Sequence, residues 1–296
     1  MADRVLIRKI LQESRKRGYK LLSETKRKEE PMDREKFRNL PPREVRQLIR
    51  EGKWREGTAF VSEGYAQANL AILPKSLAFE FLLFCQRNPK PCPVLEVTEP
   101  GNPILSQIAK GADIRTDIPK YRIYQKGKYI AEVENIKDHW RDDLVAFLIG
   151  CSYTFESAMA KANIPLRHVE DNKTVSVFIT NIPCAPAGIF SGPMVVSMRP
   201  IPEKFVVRAI QVTSRFPATH GAPVHVGDPQ KIGVRDLQKV DWGDPLRFEK
   251  DDVPVFWACG VTPQAVAMAS KPEIMITHSA GHMFLSDIRD EELAAL

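Results

Sequence analysis

The sequence predicts a mixed α/β protein: a larger three-layer α/β domain with a smaller two-layer α+β subdomain inserted into it. Three observations carry this. Helix-like and strand-like apolar segments alternate toward both ends of the chain. The centre holds Val- and Ile-rich runs joined by loops dense in Pro and Gly. The 296 residues exceed one small domain at roughly 150 residues per domain. The larger domain is expected from 39–151 and 226–296, the inserted subdomain from 152–225, and a basic extension from 1–38.

Taken in order, residues 1–40 are charged, with a weak helical stripe of Val5, Leu6, Ile10 and Leu11 that suits a solvated extension or an oligomer contact. PPREVRQLIREG at 41–52 is a helix opened by proline and closed by Gly52. KSLAFEFLLFCQR at 75–87 is a buried helix, and CPVLEV at 92–97 a short strand stopped by Glu99-Pro100-Gly101. Two alternating segments around Lys126-Gly127-Lys128 predict a hairpin over 121–135. Residues 141–162 predict one long helix or two consecutive ones, with a break at Gly150-Cys151-Ser152 and Ser152 as a cap. Runs at 176–182, 194–201 and 205–216 are expected to be antiparallel strands. VPVFWAC at 253–259, a helix over 263–270 capped by Thr262, and EIMITHS at 273–279 form a strand–helix–strand unit, which implies a parallel pair.

Composition narrows the functional classes. No apolar run approaches the roughly 18 residues of a membrane helix, and no secretory leader pattern opens the chain. The five cysteines are scattered, without a CxxC pair, as expected in a reducing cytoplasm. The net charge is +6, yet residues 1–50 alone carry +8, leaving the body at −2. A whole-protein nucleic-acid role is therefore not expected. A basic N-terminus that binds nucleic acid would show steeply salt-dependent binding.

Seven stretches then match one family in order: QANLAILPKSLAFEFLLFCQRNPKPCP, GADIRTDIPKYR, DDLVAFLIGCSYTFESAM, TNIPCAPAGIFSGPMVVSMRPIP, QVTSRFPATHGAPVHVGDP, VPVFWACGVTPQA and ITHSAGHMFLSD. Across about residues 40–290 the chain resembles the family of proteins named "Putative hydro-lyase" in the D-glutamate cyclase-like superfamily. The resemblance implies a larger three-layer and a smaller two-layer part, a hydro-lyase, and an acidic amino acid or oxoproline-like substrate.

Such chemistry needs a base, an acid for the departing oxygen and a cationic grip on a carboxylate. The densest candidate segment is THGAPVHVGDP, with His220, His225 and Asp228. His225 is the expected base and Asp228 its partner; the alternative is that His225 bonds backbone and Asp228 caps a helix. Arg199 and Arg215 are candidate carboxylate clamps or, otherwise, structural arginines. Cys151 and Ser152 lie at a helix start that favours an anion, although Cys151 also suits a buried small residue. Gly260 and Thr262 stand where a strand meets a helix and are candidate substrate contacts, as is His282. His278 and His282 are four apart, but Gly281 and the preceding strand argue against a zinc face, so no metal is expected. No motif asks for an organic cofactor. The expected partner is a small carboxylate or amino acid, bound by a lyase or by a non-catalytic binding protein.

Overall fold

The computed structural model describes residues 35–295. The N-terminal stripe expected at Val5–Leu11 lies outside them. Helices α1 (Glu35–Arg38) and α2 (Pro42–Arg50) precede strand β1 (Tyr65–Pro74), helix α3 (Lys75–Arg87) and strand β2 (Val94–Val97). The hairpin β3 (Tyr121–Gln125) and β4 (Lys128–Val133) turns on Lys126 and Gly127, both at positive φ, as the Lys-Gly pair predicts. Then follow β5 (Leu144–Gly150), α4 (Tyr153–Lys161), α5 (Arg167–Glu170), β6 (Ser176–Pro183), β7 (Pro193–Pro202) and α6 (Glu203–Ser214). The chain closes with β8 (His225–Val226), β9 (Asp252–Ala258), α7 (Val261–Ala269), β10 (Met275–His278) and β11 (Phe284–Arg289).

These elements confirm a mixed α/β protein. A seven-stranded sheet runs β2-β5-β1-β10-β3-β4, with β11 also pairing β1, and a four-stranded sheet runs β6-β7-β9-β8. In the large sheet the β1 side chains alternate between two cores. Ala68, Leu70 and Ile72 pack with Leu105, Ile108 and Ile114 of an irregular segment. Ala71 and Leu73 pack on the other face with Phe81 and Phe84 of α3 and Val266 of α7. In the small sheet Val255, Trp257 and Ile201 bury against Phe155 and Met159 of α4 and Ala209 of α6.

Three expected elements are corrected. Residues 144–150 form a strand, not the first half of a helix. Flanked by β1 and β2 and buried along its whole length, LVAFLIG has no polar face and so no period that separates helix from strand. The break at Gly150-Cys151-Ser152 is where that strand hands over to α4. FVVRAIQVTSRF is helix α6, not a strand: Phe205, Ala209 and Val212 recur at helical spacing and pack on the small sheet, which overrides the β-branched composition. Strands β9 and β10 do not form a parallel pair. They lie in different sheets, and every strand pair among the described residues is antiparallel. Helix α7 leaves the small sheet and crosses to the large one, packing Ala265 on the former and Val266 and Ala267 on the latter. A helix buried on nearly every side suits that position. Strand β9, expected in the larger domain, thus belongs to the smaller sheet.

Candidate functional site

The site begins with a polar residue in an apolar strand. Asn69 lies in β1 and is 3% exposed. Its side-chain amide donates to Gly150 O at 2.9 Å, at the end of β5. The same amide sits against Gly260, where an added Cβ would stand 2.0 Å from Asn69 Nδ2. Asn69 therefore touches the residues just before two helices, Gly150-Cys151-Ser152 before α4 and Cys259-Gly260 before α7. Neither helix has a side-chain cap. Two helix N-termini, each carrying a partial positive charge, open beside one another, with Thr154 N–H donating to Cys151 O and Thr262 N–H to Cys259 O.

A cleft of about 70 Å³ runs past these helix starts, between the sheets. Cys151, Ser152 and Cys259 line it together with Arg122 and His278 of the large sheet and Trp242 of the small sheet's flanking loop. This volume suits a few waters or a small polar molecule rather than a nucleotide.

His278 occupies a gap in the sheet. Strand β10 pairs with Ala71 and Ile72 of β1, and β11 pairs with Tyr65–Ala68, so the ladder is interrupted at Asn69 and Leu70. The Leu70 N–H donates instead to His278 Nδ1 at 3.1 Å, and the Gln264 amide lies 2.9 Å from the same nitrogen. Burial holds the imidazole pKa down at about 3, so the ring is neutral at physiological pH. With Nδ1 accepting, the ring hydrogen is on Nε2.

Arg122 on β3 is paired through Nε with Glu132 at 3.1 Å, and Ser279 Oγ donates to the same carboxylate at 2.6 Å. Burial works against the Glu132 charge, but Ser279 and Arg122 outweigh it and hold the pKa below the ordinary value. The thiols are the opposite case. Burial pushes Cys151 up to about 12 and Cys259 up to about 11, so both are protonated and neither is an activated nucleophile.

The sequence-derived candidates divide. Cys151 and Ser152 line the cleft, and Gly260 lies between its lining neighbours Cys259 and Val261. Thr262 turns away: its Oγ1 accepts from Val195 N and donates to Val195 O, tying α7 to β7, and Gly260 takes the N-cap position instead. His282 stands on the segment whose neighbours Gly281 and Met283 line the cleft, with Nδ1 donating to Ala280 O at 2.9 Å. His220 is buried behind the helix start, its Nδ1 donating to Lys90 O at 2.9 Å and its pKa lowered by burial to about 4.

The expected His225–Asp228 pair is not formed through side chains. His225 Nε2 meets the backbone carbonyl of Asp228 at 2.7 Å, while the Asp228 carboxylate caps Gln230 N. These were the alternatives, and they follow from Pro229 opening a 3-10 turn. Arg215 caps the end of α6 and reaches toward Ala295 O, away from the cleft. Arg199 is fully buried under Ser152 and paired with Glu156, so it presents no free fork to a carboxylate. Sequence reading missed Asn69, Arg122 and Gln264, and weighed His278 only as a metal ligand. The one local signal was polarity inside apolar runs: Asn in QANLAIL and Gln in VTPQAVA.

Gly260→Ala tests the paired helix starts. Its Cβ must displace a buried amide that is already hydrogen-bonded, and overpacking of this kind costs about 1–3 kcal/mol. Urea unfolding of the variant is expected to show that loss. An unchanged midpoint would mean that Asn69 is not wedged between the two starts.

Fold and site together define a mixed α/β protein with a small cleft between two antiparallel sheets, edged by helix N-termini and an arginine. A family model described as D-glutamate cyclase matches residues 145–287. Proteins named "Putative hydro-lyase" are similar over nearly their whole length. One from Thermoanaerobacter sp. strain X514 is 64% identical over 87% of this chain and 97% of its own. One from Geobacillus kaustophilus is 61% identical over 87% and 98%, and one from Bacillus subtilis strain 168 is 61% identical over 87% and 100%. The chain belongs to this family. A solved structure of a nitrogen repressor-like protein from Methanococcus jannaschii is similar with a TM-score of 0.36 and 10% identity, over 81% of this chain and 93% of that one.

Proposed function

We propose that this protein is a hydro-lyase for a small carboxylate or amino acid, and that its reaction is the dehydrative cyclisation of D-glutamate to 5-oxoproline. The names of its relatives support the general class, and the cleft supports the finer reading. In this reaction the α-nitrogen bonds to the γ-carboxyl carbon and one oxygen leaves as water. The two protons shed by the ammonium depart with that oxygen, so no net acid or base is consumed. The site has to hold a carboxylate, stabilise a tetrahedral oxyanion and relay protons.

The observation that carries the reading is His278, a neutral imidazole whose Nδ1 is held by Leu70 N–H and Gln264, which leaves an Nε2–H donor for an oxyanion. Arg122 grips the α-carboxylate, and the positive ends of α4 and α7 stand beside the γ-carboxyl.

The test is an assay of the purified protein with D-glutamate, L-glutamate and 5-oxoproline in both directions, beside Arg122→Gln. Turnover of the D-isomer is expected, with KM raised by at least about tenfold in the variant, since a charge-assisted carboxylate contact contributes about 1.5–3 kcal/mol. Binding of 5-oxoproline without turnover in either direction would replace the lyase with a carboxylate-binding protein. Neither binding nor turnover would discard the substrate class.

A further inference from the structure

The floor of the cleft contains a buried charge cluster that the scheme above does not use. Ser152 stands at the N-cap of α4, where a serine ordinarily turns its oxygen back onto an N–H of the first turn. Here the residue has helical angles (φ −64°, ψ −17°) and makes no cap. Its Oγ instead accepts from Arg199 Nη2 at 3.0 Å. Arg199 is fully buried, and each of its three nitrogens is engaged. Nε donates to Glu156 Oε1 at 2.9 Å, Nη2 also reaches that oxygen, and Nη1 donates to Ser197 Oγ at 3.1 Å. The guanidinium carbon lies 5.4 Å from the ring centroids of both Phe155 and Trp257, which clamp it. His168 Nε2 lies 3.1 Å from the same Glu156 oxygen. Ser152 is thus the point where this cluster meets the cleft.

We infer that the Ser152 hydroxyl donates a hydrogen bond to the departing oxygen of the substrate, both protons of the water still coming from the ammonium, and that Arg199 is the positioning residue that orients and polarises it. A hydroxyl whose oxygen accepts from a cation must point its hydrogen elsewhere, and Ser152 lines the cleft. Donation from the guanidinium withdraws electron density from Oγ and makes the O–H a stronger donor, an effect enlarged where water is scarce. Glu156 neutralises the buried arginine, so the cation is tolerated without turning toward solvent. The identity of the oxygen rests on the lyase reading; the orientation and polarisation of the hydroxyl do not.

The test separates the two. Ser152→Cys places a thiol at the hydroxyl's position, and the pH dependence of its alkylation by iodoacetamide reports the local field. The titratable or charged groups around it are Cys151, Tyr153, Glu156, Arg199, Cys259 and, behind them, His168 and His220. Wild-type protein supplies the background, which is slow because Cys151 and Cys259 are held protonated. The Ser152→Cys thiol is expected to ionise at least about one pH unit below the ordinary 8.5 or so. In a Glu156→Gln/Arg199→Met background its midpoint is expected to rise by at least about one unit, roughly a tenfold slower reaction at pH 7. Both charges are removed together because a lone survivor would be an uncompensated buried charge; circular dichroism and melting temperature verify the fold. In turnover of D-glutamate, Ser152→Ala is expected to lower kcat about 10–100-fold at unchanged KM, and adding the double substitution should lower it little further. A Ser152→Cys protein alkylated no faster than wild type would show that the hydroxyl does not face the cleft. Equal midpoints in the two folded backgrounds would leave Arg199 a purely structural residue. The expected alkylation shifts without D-glutamate turnover would overturn the lyase reading and keep the polarised hydroxyl.

Discussion

Between pH 6.5 and 4 the folded protein is expected to lose stability through two histidines and to regain part of it through one aspartate. Burial holds His278 at about 3 and His220 at about 4, both below the roughly 6.5 of an unfolded chain. A base with a depressed folded pKa stabilises the fold above its unfolded pKa, and that contribution is lost as the pH falls toward the folded value. At about 1.4 kcal/mol per pKa unit, the two groups together represent on the order of 5 kcal/mol by pH 4, a large share of a typical domain's stability.

Asp290 has the opposite sign. Burial raises it to about 7, against a partial lowering by the Ser157 hydroxyl, which donates to Oδ2 at 3.1 Å. Its Oδ1 is buried without a partner among the described residues. An acid with a raised folded pKa stabilises the fold below its unfolded value and loses that contribution as the pH rises through about 7. Asp290→Asn is therefore expected to raise the urea midpoint at pH 8 and to steepen the loss on acidification. His220→Asn, which tolerates the left-handed backbone at φ 83°, is expected to flatten that loss. Urea midpoints at pH 8, 6, 5 and 4 for the three proteins decide it. A wild-type midpoint unchanged from pH 6 to 4, with Asp290→Asn no more stable than wild type at pH 8, would refute both assignments.

The second large effect concerns His278 itself. His278→Asn leaves a carbonyl to accept the Leu70 N–H but removes the Nε2–H donor. It is expected to lower kcat about 10²–10³-fold, the scale of losing one oxyanion donor, with the fold retained. His278→Gln retains an amide N–H near the Nε2 position but withdraws the acceptor from Leu70. The buried N–H then goes unpaired, costing about 1–3 kcal/mol, while the folded fraction should turn over faster than the Asn variant. Steady-state kinetics and urea unfolding on both proteins test the pair. Equal turnover by Asn and wild type would remove His278 from the chemistry.

How much of this was legible follows from range. The hairpin at 121–133, the helix at 75–87 and the helix start at Ser152 are written in neighbouring residues, because turn chemistry and helical spacing act over a few positions. The same local logic placed Cys151, Ser152 and Gly260 at helix starts, and the fold brings those starts to the cleft. It misled at LVAFLIG and FVVRAIQV, where burial on both faces or packing of one face decides between strand and helix. It also misled at His225 and Asp228, whose closeness in sequence put a backbone carbonyl, not a carboxylate, against the imidazole.

The sequence by itself determined the family, the mixed α/β class and the turns that end strands at helix starts. These depend on residue order and on interactions between near neighbours. Only the tertiary structure decided that α7 would cross between two sheets and that Arg199 would be spent on Glu156. It alone brought Asn69, Arg122 and His278 to one cleft from three strands. Those outcomes depend on which strands pair and on where β10 and β11 leave a gap beside β1, and strand pairing over some 200 residues of separation is set by burial of the whole core rather than by any local pattern.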